Sequence, residues 1–315
     1  MYKDKKIGVV VPAYNEEKLI GTVIETMPDF VDSIIVVDDN SEDETVQIVQ
    51  GHQVKNEKII LIRHKENQGV GGAIISGYKK ALELKIDVTA VMAGDGQMAP
   101  EDLIRVVKPV ADAEVDYTKG NRLFRGESWK MIPHYRYLGN SILSLLTKIA
   151  SGYWHIADSQ SGYTAISSAA LKRLNLDKIY KGYGMPNDML IHLNINNFRV
   201  RDVSVRPVYN IGENSDIRLW KVIPKISWLI FKGFWKRMIE KYVIRDFHPL
   251  LFFYLLGLTA TPAGFLFGIY LIIYRLMGND VAATSALFAV FLFISGLQSL
   301  FFAMWFDMEY NKHLK

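Results

Sequence analysis

Two stretches decide the fold: Ile7-Gly-Val-Val-Val-Pro-Ala-Tyr-Asn-Glu-Glu17 and Ile34-Ile-Val-Val-Asp-Asp-Asn-Ser-Glu-Asp-Glu-Thr45. Each is a short, continuously apolar, β-branched run that stops at polar residues. Runs of this kind and length predict parallel strands buried on both faces. In open α/β sheets ligands sit beyond the carboxyl ends of such strands. That is where Tyr14, Asn15, Glu16, Asp38 and Asp39 fall.

Working outward from these strands, Asn40-Ser-Glu-Asp-Glu-Thr45 reads as a turn and helix cap, and Lys58-Ile-Ile-Leu-Ile-Arg63 as a third apolar run. Asn67-Gln-Gly-Val-Gly-Gly-Ala73 then leads into a helix through Tyr78, Ala81 and Leu82. Glycines permit close backbone approach, and a helix N-terminus favours phosphate. The same pattern also suits tight packing or a dinucleotide fingerprint. A dehydrogenase is disfavoured, because the first strand ends in Pro-Ala-Tyr-Asn-Glu without a glycine loop. The fourth run, Val88-Thr-Ala-Val-Met-Ala-Gly-Asp-Gly-Gln97, ends in Asp95 and Gln97. Asp95 could alternatively cap a helix over residues 101–107.

Half of the 315 residues are hydrophobic, and the excess is concentrated toward the C-terminus. Residues 249–274 and 281–306 carry no charge, and each run exceeds the roughly 20 residues that cross a bilayer as a helix. Only Arg275-Leu-Met-Gly-Asn-Asp280 joins them, which predicts a tight antiparallel hairpin. Lys221, Lys225, Lys232, Lys236, Arg237, Lys241 and Arg245 precede it, and Lys312 and Lys315 follow. The positive-inside rule puts both flanks in the cytoplasm. The N-terminus has charged residues and then a strand, not a signal-peptide core, so a multi-pass membrane protein with a cytoplasmic N-terminal domain is expected.

Between domain and hairpin, Trp220, Ile223, Ile226, Trp228, Leu229, Phe231, Phe234 and Trp235 are interleaved with the basic residues. This mixture describes helices lying at the membrane surface, or else a linker helix packed on the catalytic domain. The chain thus divides into residues 1–215, a juxtamembrane part 216–247 and a hairpin with a short tail, 248–315. A net charge of +4, mostly beside the spans, points to anionic lipid head groups and away from nucleic acid. Zero cysteines exclude disulfides, thiolate nucleophiles and Cys-zinc sites. The seven histidines show no metal-ligand spacing; His64, His134 and His155 read as structural.

Val11-Pro-Ala-Tyr-Asn-Glu16, Asp38-Asp39, Asn67-Gln-Gly-x-Gly-Gly72, Asp95-Gly-Gln97 and Gly120-Asn-Arg122 occur in the order of dolichol-phosphate mannose synthases and related polyprenyl-phosphate glycosyltransferases. The first two-thirds of the chain resembles that group of family-two inverting transferases, and the C-terminal hairpin resembles the anchor of several members. The resemblance implies an α/β GT-A domain, Rossmann-like, followed by interfacial helices and a transmembrane hairpin. It implies transfer of one hexose from a UDP- or GDP-sugar to a polyprenyl phosphate. It implies further that Pro12, Tyr14, Glu16 and Asp39 hold the nucleoside, and that Gly94, Asp95 and Gln97 serve the donor diphosphate. Asp95 and Gln97 would bind a divalent cation, Mg2+ or Mn2+. Family members commonly carry Asp-x-Asp here; Ala93 replaces the first aspartate, leaving one carboxylate. Arg122, Arg136 and Asn140 would meet the acceptor phosphate, for which arginine is chemically suited.

Asp158-Ser-Gln-Ser-Gly-Tyr163 resembles the acceptor-side loop, and Gly182-Tyr-Gly-Met-Pro-Asn-Asp188 sits where the family places an acid before a helix. A phosphate acceptor is already ionised, so Asp188 is either a catalytic acid–base group or an orienting one. Residues 206–218 resemble a loop that closes on donor phosphate, with Arg218 as the contact. Arg136, within His134-Tyr-Arg-Tyr137, could also be a plain surface charge. Two rivals remain: a processive polysaccharide synthase, which usually shows Gln-x-x-Arg-Trp and more spans, and a catalytically inert nucleotide-sugar-binding scaffold, motivated by Ala93. A homo-oligomer stays open.

Overall fold

The apolar runs form the strands that they predict. The computed structural model describes residues 1–123, 134–206, 208 and 219–315, with the side chains of 134–138, 140 and 219–222 outside that description. Strands β1 (Ile7–Ala13), β2 (Ser33–Asp38), β3 (Ile59–Arg63) and β4 (Val88–Val91) are mutually parallel, β1 lying between β2 and β4. Every residue of β1 is buried, as expected of a central strand covered on both faces.

Three further strands, β5 (Tyr117–Asn121), β6 (Thr164–Ser167) and β7 (Val200–Ser204), complete a seven-stranded sheet of order β3-β2-β1-β4-β6-β5-β7. Strand β6 is antiparallel to both β4 and β5, and β5 pairs in parallel with β7. Two reversals cancel, so β5 points the same way as β4. Its carboxyl end, with Arg122 just beyond, reaches the edge where β1, β2 and β4 also end. The amino end of β6 lies at that edge too, bringing residues 158–163 there. The topology collects the chemistry-bearing segments on one side of the sheet.

Alternation along each strand divides the core between two faces. Val10, Ile35 and Val37 pack with Ala73, Ile74 and Tyr78 of helix α3 (Val70–Glu83). Val9, Val11, Ile34 and Val36 pack with Ile20 and Val23 of α1 (Ile20–Glu25) and Val49 of α2 (Thr45–Gln53). Helix α4 (Leu103–Ala111) adds Leu103, Val106 and Val107 to this second layer. Helix α5 (His134–Ser151) follows β5, α6 (Ser168–Arg173) follows β6, and α7 (Met185–Ile195) is buried along almost its whole length.

The chain separates into two compact units, residues 1–235 with 314–315, and residues 236–313. Helix α8 (Leu219–Ile239) runs through the division. The aromatic and basic stretch is therefore one helix, continued by a π-helical segment, Glu240–Arg245. Within the first unit Gly233 lies against Ile191 of α7 and Gly184 against Leu229, while Ile223, Trp228 and Phe231 are exposed. One face of α8 thus packs on the domain, as the linker-helix expectation had it, and the other presents exposed aromatic residues.

The second unit is built on α9 (Leu250–Leu276) and α10 (Ala283–Tyr310), each long and apolar enough to cross a membrane. They form the expected hairpin. Small residues let the backbones approach: any side chain at Gly257 would run into Leu300, and one at Gly264 or Gly296 into backbone of the opposite helix. A buried polar network closes one end. Arg237 makes a two-pronged ion pair with Asp307 at 2.7 and 3.0 Å, both side chains fully buried. Tyr242 donates to Asp307, and Lys241 donates to Asn311.

Candidate active site

Asparagine accomplishes the exits from β1 and β2. Asn15 and Asn40 adopt positive φ angles of 56° and 68°, a conformation that asparagine tolerates better than most residues. The backbone N–H of Asn15 donates to Ser41 Oγ, that of Glu42 to Asn15 Oδ1, and that of Glu16 to Thr45 Oγ1 at 2.8 Å. The two strand-end loops are thus laced together, fixing Tyr14 and Glu16 beside Asp38 and Asp39. Pro12 is buried within β1, and Tyr14 stands half exposed.

Asp39 has a heavier duty than facing a ligand. Its Oδ1 accepts the N–H of Gln68 at 2.8 Å and lies 2.6 Å from His64 Nδ1, while its Oδ2 accepts the N–H of Gly69 at 2.8 Å. His64 Nε2 is 2.8 Å from Ser76 Oγ on α3. Asp39 therefore satisfies donors at the start of α3, where a negative charge is also favoured by the helix dipole. Asp38 is fully buried, and its Oδ2 has no hydrogen-bond partner in the described structure, with Arg63 Nε 3.8 Å away.

The glycine-rich turn resolves toward packing. Gly69 has φ +82°, which admits few other residues. A Cβ on Gly71 would come within 2.7 Å of backbone atoms of Tyr180 and Lys181, and Gly72 N–H donates to Lys181 O at 3.1 Å. At the head of α3 the N–H groups of Gln68 and Gly69 go to Asp39 and that of Gly72 to Lys181 O.

After β4 the chain stays along β1: Met92 N–H donates to Val10 O and Gly94 N–H to Pro12 O. This brings Asp95 beside Glu16. Asp95 Oδ1 accepts the N–H of Gln97 at 3.0 Å, so it closes its own turn; helix α4 has no side-chain cap. Burial, and then the charges of Asp95 and Asp43, push the Glu16 carboxyl up to about 7. Two carboxyl groups that repel one another across a partly buried gap form a place where a hard cation is favoured. The described residues hold no group of three His, Cys, Asp or Glu side chains suited to a metal. The protein supplies a partial oxygen set, the arrangement that suits a cation sharing its shell with substrate phosphates. Asp95, Gln97 and, unanticipated from the sequence, Glu16 fit that description.

On the other side of the edge, Arg122 is not a lone guanidinium. Its Nε donates to Asp158 Oδ2 at 2.8 Å and its Nη2 to Asp158 Oδ1 at 3.2 Å. Asp158 also accepts the N–H groups of Arg122, Gln160 and Ser161. Burial pushes this carboxyl up, but the charge and hydrogen bonds of Arg122, with the charge of Lys119, outweigh it and hold the group below the usual carboxylate range. Lys119 is itself buried, donating to Ser161 O, and burial lowers it to about 8. Asp188, in the first turn of α7, accepts the N–H of Tyr180 at 2.8 Å and lies 3.5 Å from His192 Nδ1. It holds the 180–184 loop against its helix. His155 is structural, its Nε2 lying 2.7 Å from Val200 O. Arg136 and Asn140 lie on α5 with side chains outside the described set, and Arg218 lies outside the described residues, as does the side chain of His134.

Comparison with known proteins bears on family and fold. Residues 8–174 match Glycosyl transferase family 2. A UDP-N-acetylglucosamine–dolichyl-phosphate N-acetylglucosaminyltransferase of Methanococcus voltae is 36% identical over 219 residues, covering 65% of this chain and 87% of that protein. An undecaprenyl-phosphate mannosyltransferase of Micrococcus luteus is 30% identical, covering 58% of this chain and 76% of its own. Among solved structures, glucosyl-3-phosphoglycerate synthase from Mycobacterium tuberculosis, crystallised with Mn2+, UDP and glucosyl-3-phosphoglycerate, superposes with a TM-score of 0.53 at 20% identity, covering 74% of this chain and 80% of that one. That likeness is one of fold, and the sheet is a GT-A-like mixed sheet. The chain belongs to glycosyl transferase family 2.

Proposed function

We propose that this family 2 transferase moves a single hexose or N-acetylhexosamine from a UDP- or GDP-sugar to a polyprenyl phosphate at the cytoplasmic face of a membrane, with inversion. The observation that carries the reading is the meeting, on one sheet edge, of the Glu16–Asp95 pair with the Arg122–Asp158 fork. The first suits a nucleoside diphosphate with its cation, and the second a phosphate acceptor.

In this reading Pro12, Tyr14 and Glu16 border the nucleoside, and Asp39 acts on it through the loops that it fixes. Asp95 and Gln97, with Glu16, would hold a divalent cation, which when bound would neutralise charge on the departing diphosphate. A lipid phosphate oxygen attacks the anomeric carbon, the bond from that carbon to the diphosphate oxygen breaks, and nucleoside diphosphate leaves. The attacking oxygen is already ionised, so no proton has to be removed. Asp188, occupied with Tyr180, then serves as an orienting group instead of a base. Arg122, Arg136 and Asn140 are assigned to the acceptor phosphate, Gly94 and Arg218 to the donor side.

The testing assay uses the purified full chain, a long-chain polyprenyl phosphate and a panel of labelled nucleotide sugars, UDP-N-acetylglucosamine first because of the 36% identical relative. The expected outcome is an organic-extractable sugar-phosphate lipid of inverted anomeric configuration. Nucleotide-sugar binding without product from any donor would favour an inert sensor instead, the reading that Ala93 motivates.

A further inference from the structure

We infer that Asp158 is a positioning residue that builds the acceptor-phosphate subsite by holding Arg122 in a fixed plane and tying it to α5 and α7. This deepens the proposed function and rests on its assignment of a phosphate acceptor.

Asp158 is completely buried, whereas the Arg122 side chain is 25% exposed. The pair therefore has a hidden end and an open one: the carboxylate lies inside and the guanidinium reaches the sheet edge. A guanidinium carries five N–H donors in one plane. Engaging two of them in a fork fixes the plane in which the others lie, so that less side-chain freedom is lost on binding phosphate.

The same carboxylate organises its surroundings. By accepting from Gln160 N and Ser161 N at 3.2 Å each, Asp158 folds residues 158–161 into a tight turn. That turn carries contacts outward. Gln160 Nε2 donates to Asn187 Oδ1 at 2.8 Å, and Asn187 Nδ2 returns a bond to Gln160 Oε1 at 3.4 Å. Thr147 of α5 also donates to Asn187 Oδ1, and Ser159 bonds Ser144 of α5. Ser144 and Thr147 belong to α5, the helix whose sequence also carries Arg136 and Asn140. Asn187 directly precedes Asp188. One buried turn therefore sets the mutual placement of β5, α5 and α7, the three elements that carry Arg122, Arg136, Asn140 and Asp188. Nothing about Asp158 suits it to touch substrate itself, since it has no exposed surface; it acts through Arg122.

The test titrates farnesyl phosphate, and separately UDP and GDP, into the full chain in detergent, and measures transfer kinetics with the preferred donor. Asp158→Asn should weaken farnesyl phosphate binding and raise the acceptor KM by at least about tenfold, the scale of one lost charge-assisted hydrogen bond. Nucleotide affinity should change less than about twofold. Arg122→Lys keeps a positive charge but cannot fork, and it should show the same acceptor-selective loss even if Asp158→Asn fails to fold. Combining the two should cost no more than the worse single change, because they act as one unit. Additive losses, equal losses for nucleotide and prenyl phosphate, or a lysine that serves as well as arginine would overturn the positioning role. A wild-type chain that binds no prenyl phosphate would overturn the acceptor assignment itself and this inference with it. Wild-type binding with an unaffected Asp158→Asn overturns only the inference.

Discussion

Asp39 and Glu16 show how one edge residue can have a role that its neighbours in sequence do not announce. Both read as ligand-facing acids because they end strands. Glu16 stays partly exposed at the sheet edge, whereas Asp39 accepts N–H groups from the head of α3. The sequence conveys strand ends well, since burial periodicity is local; it cannot convey that Gln68 and Gly69, about thirty residues downstream, present two N–H groups to Asp39. The Arg122–Asp158 fork was hidden for the same reason, its partners being separated by 36 positions. Asp39→Asn should therefore lower stability by about 1–3 kcal/mol, the cost of a lost buried acceptor, measured by urea unfolding; an unchanged midpoint would return Asp39 to a purely ligand-facing role. Asp95→Asn should cut turnover by at least about two orders of magnitude with the fold intact, as it removes the charge that the proposed reaction sets next to the leaving group. Near-normal turnover would move the cation site elsewhere. Glu16, raised from 4.5 to about 7, binds more protons folded than unfolded between those values. Its contribution to stability is therefore full below about pH 4.5 and is lost as pH rises toward 7. Glu16→Gln should flatten that slope. A divalent cation binding with UDP near pH 7 should release protons from wild type and fewer from Glu16→Gln, read by calorimetry in buffers of different ionisation enthalpy.

At the scale of elements, helices and strands were legible where apolar periodicity was strong, and the sheet's mixed character was not. Thr164–Ser167 is four residues long, too short for its pattern to state a direction, yet its reversal is what aligns β5 with β4. The glycine-rich segment illustrates the limit of motif reading. Its composition fits a phosphate cradle and close packing equally, and the deciding neighbour, the Tyr180–Lys181 backbone, lies more than a hundred residues away. A packing role predicts that Gly71→Ala costs about 1–3 kcal/mol through overpacking and slackens α3 against the 180–184 loop. Thermal unfolding and amide exchange at α3 would register this. If Gly71→Ala instead leaves stability untouched and selectively weakens nucleotide binding, the turn is a ligand cradle after all.

For the whole molecule, the sequence located the two apolar helices within a few residues because a run of about 26 uncharged positions has few other uses. It was less informative about the basic residues before them. Arg237 and Lys241 read as cytoplasmic charges for lipid head groups, but both are buried within the second unit, bonded to Asp307 and Asn311. Neither burial nor pairing is encoded locally, since Asp307 lies 70 positions from Arg237. Removing one member of a buried pair is costly, about 3–5 kcal/mol, so Asp307→Ala should loosen the hairpin end more than any single lipid-facing substitution. The larger question is what the second unit contributes to the proposed reaction. A polyprenyl phosphate keeps its tail in the bilayer, so the transfer site has to be held near the membrane plane. The uncovered aromatic face of α8 is suited to contact that plane, and two helices long and apolar enough to span would bury far more apolar surface than one lipid chain. A chain ending at Trp235, where the first compact unit closes apart from its two terminal residues, should therefore fold and bind nucleotide sugar. It should lose most activity on long-chain acceptor in liposomes and retain activity on farnesyl phosphate in solution. Equal activity of the truncated and full chains on liposome-embedded acceptor would show that the hairpin serves another end, such as assembly with a second membrane protein.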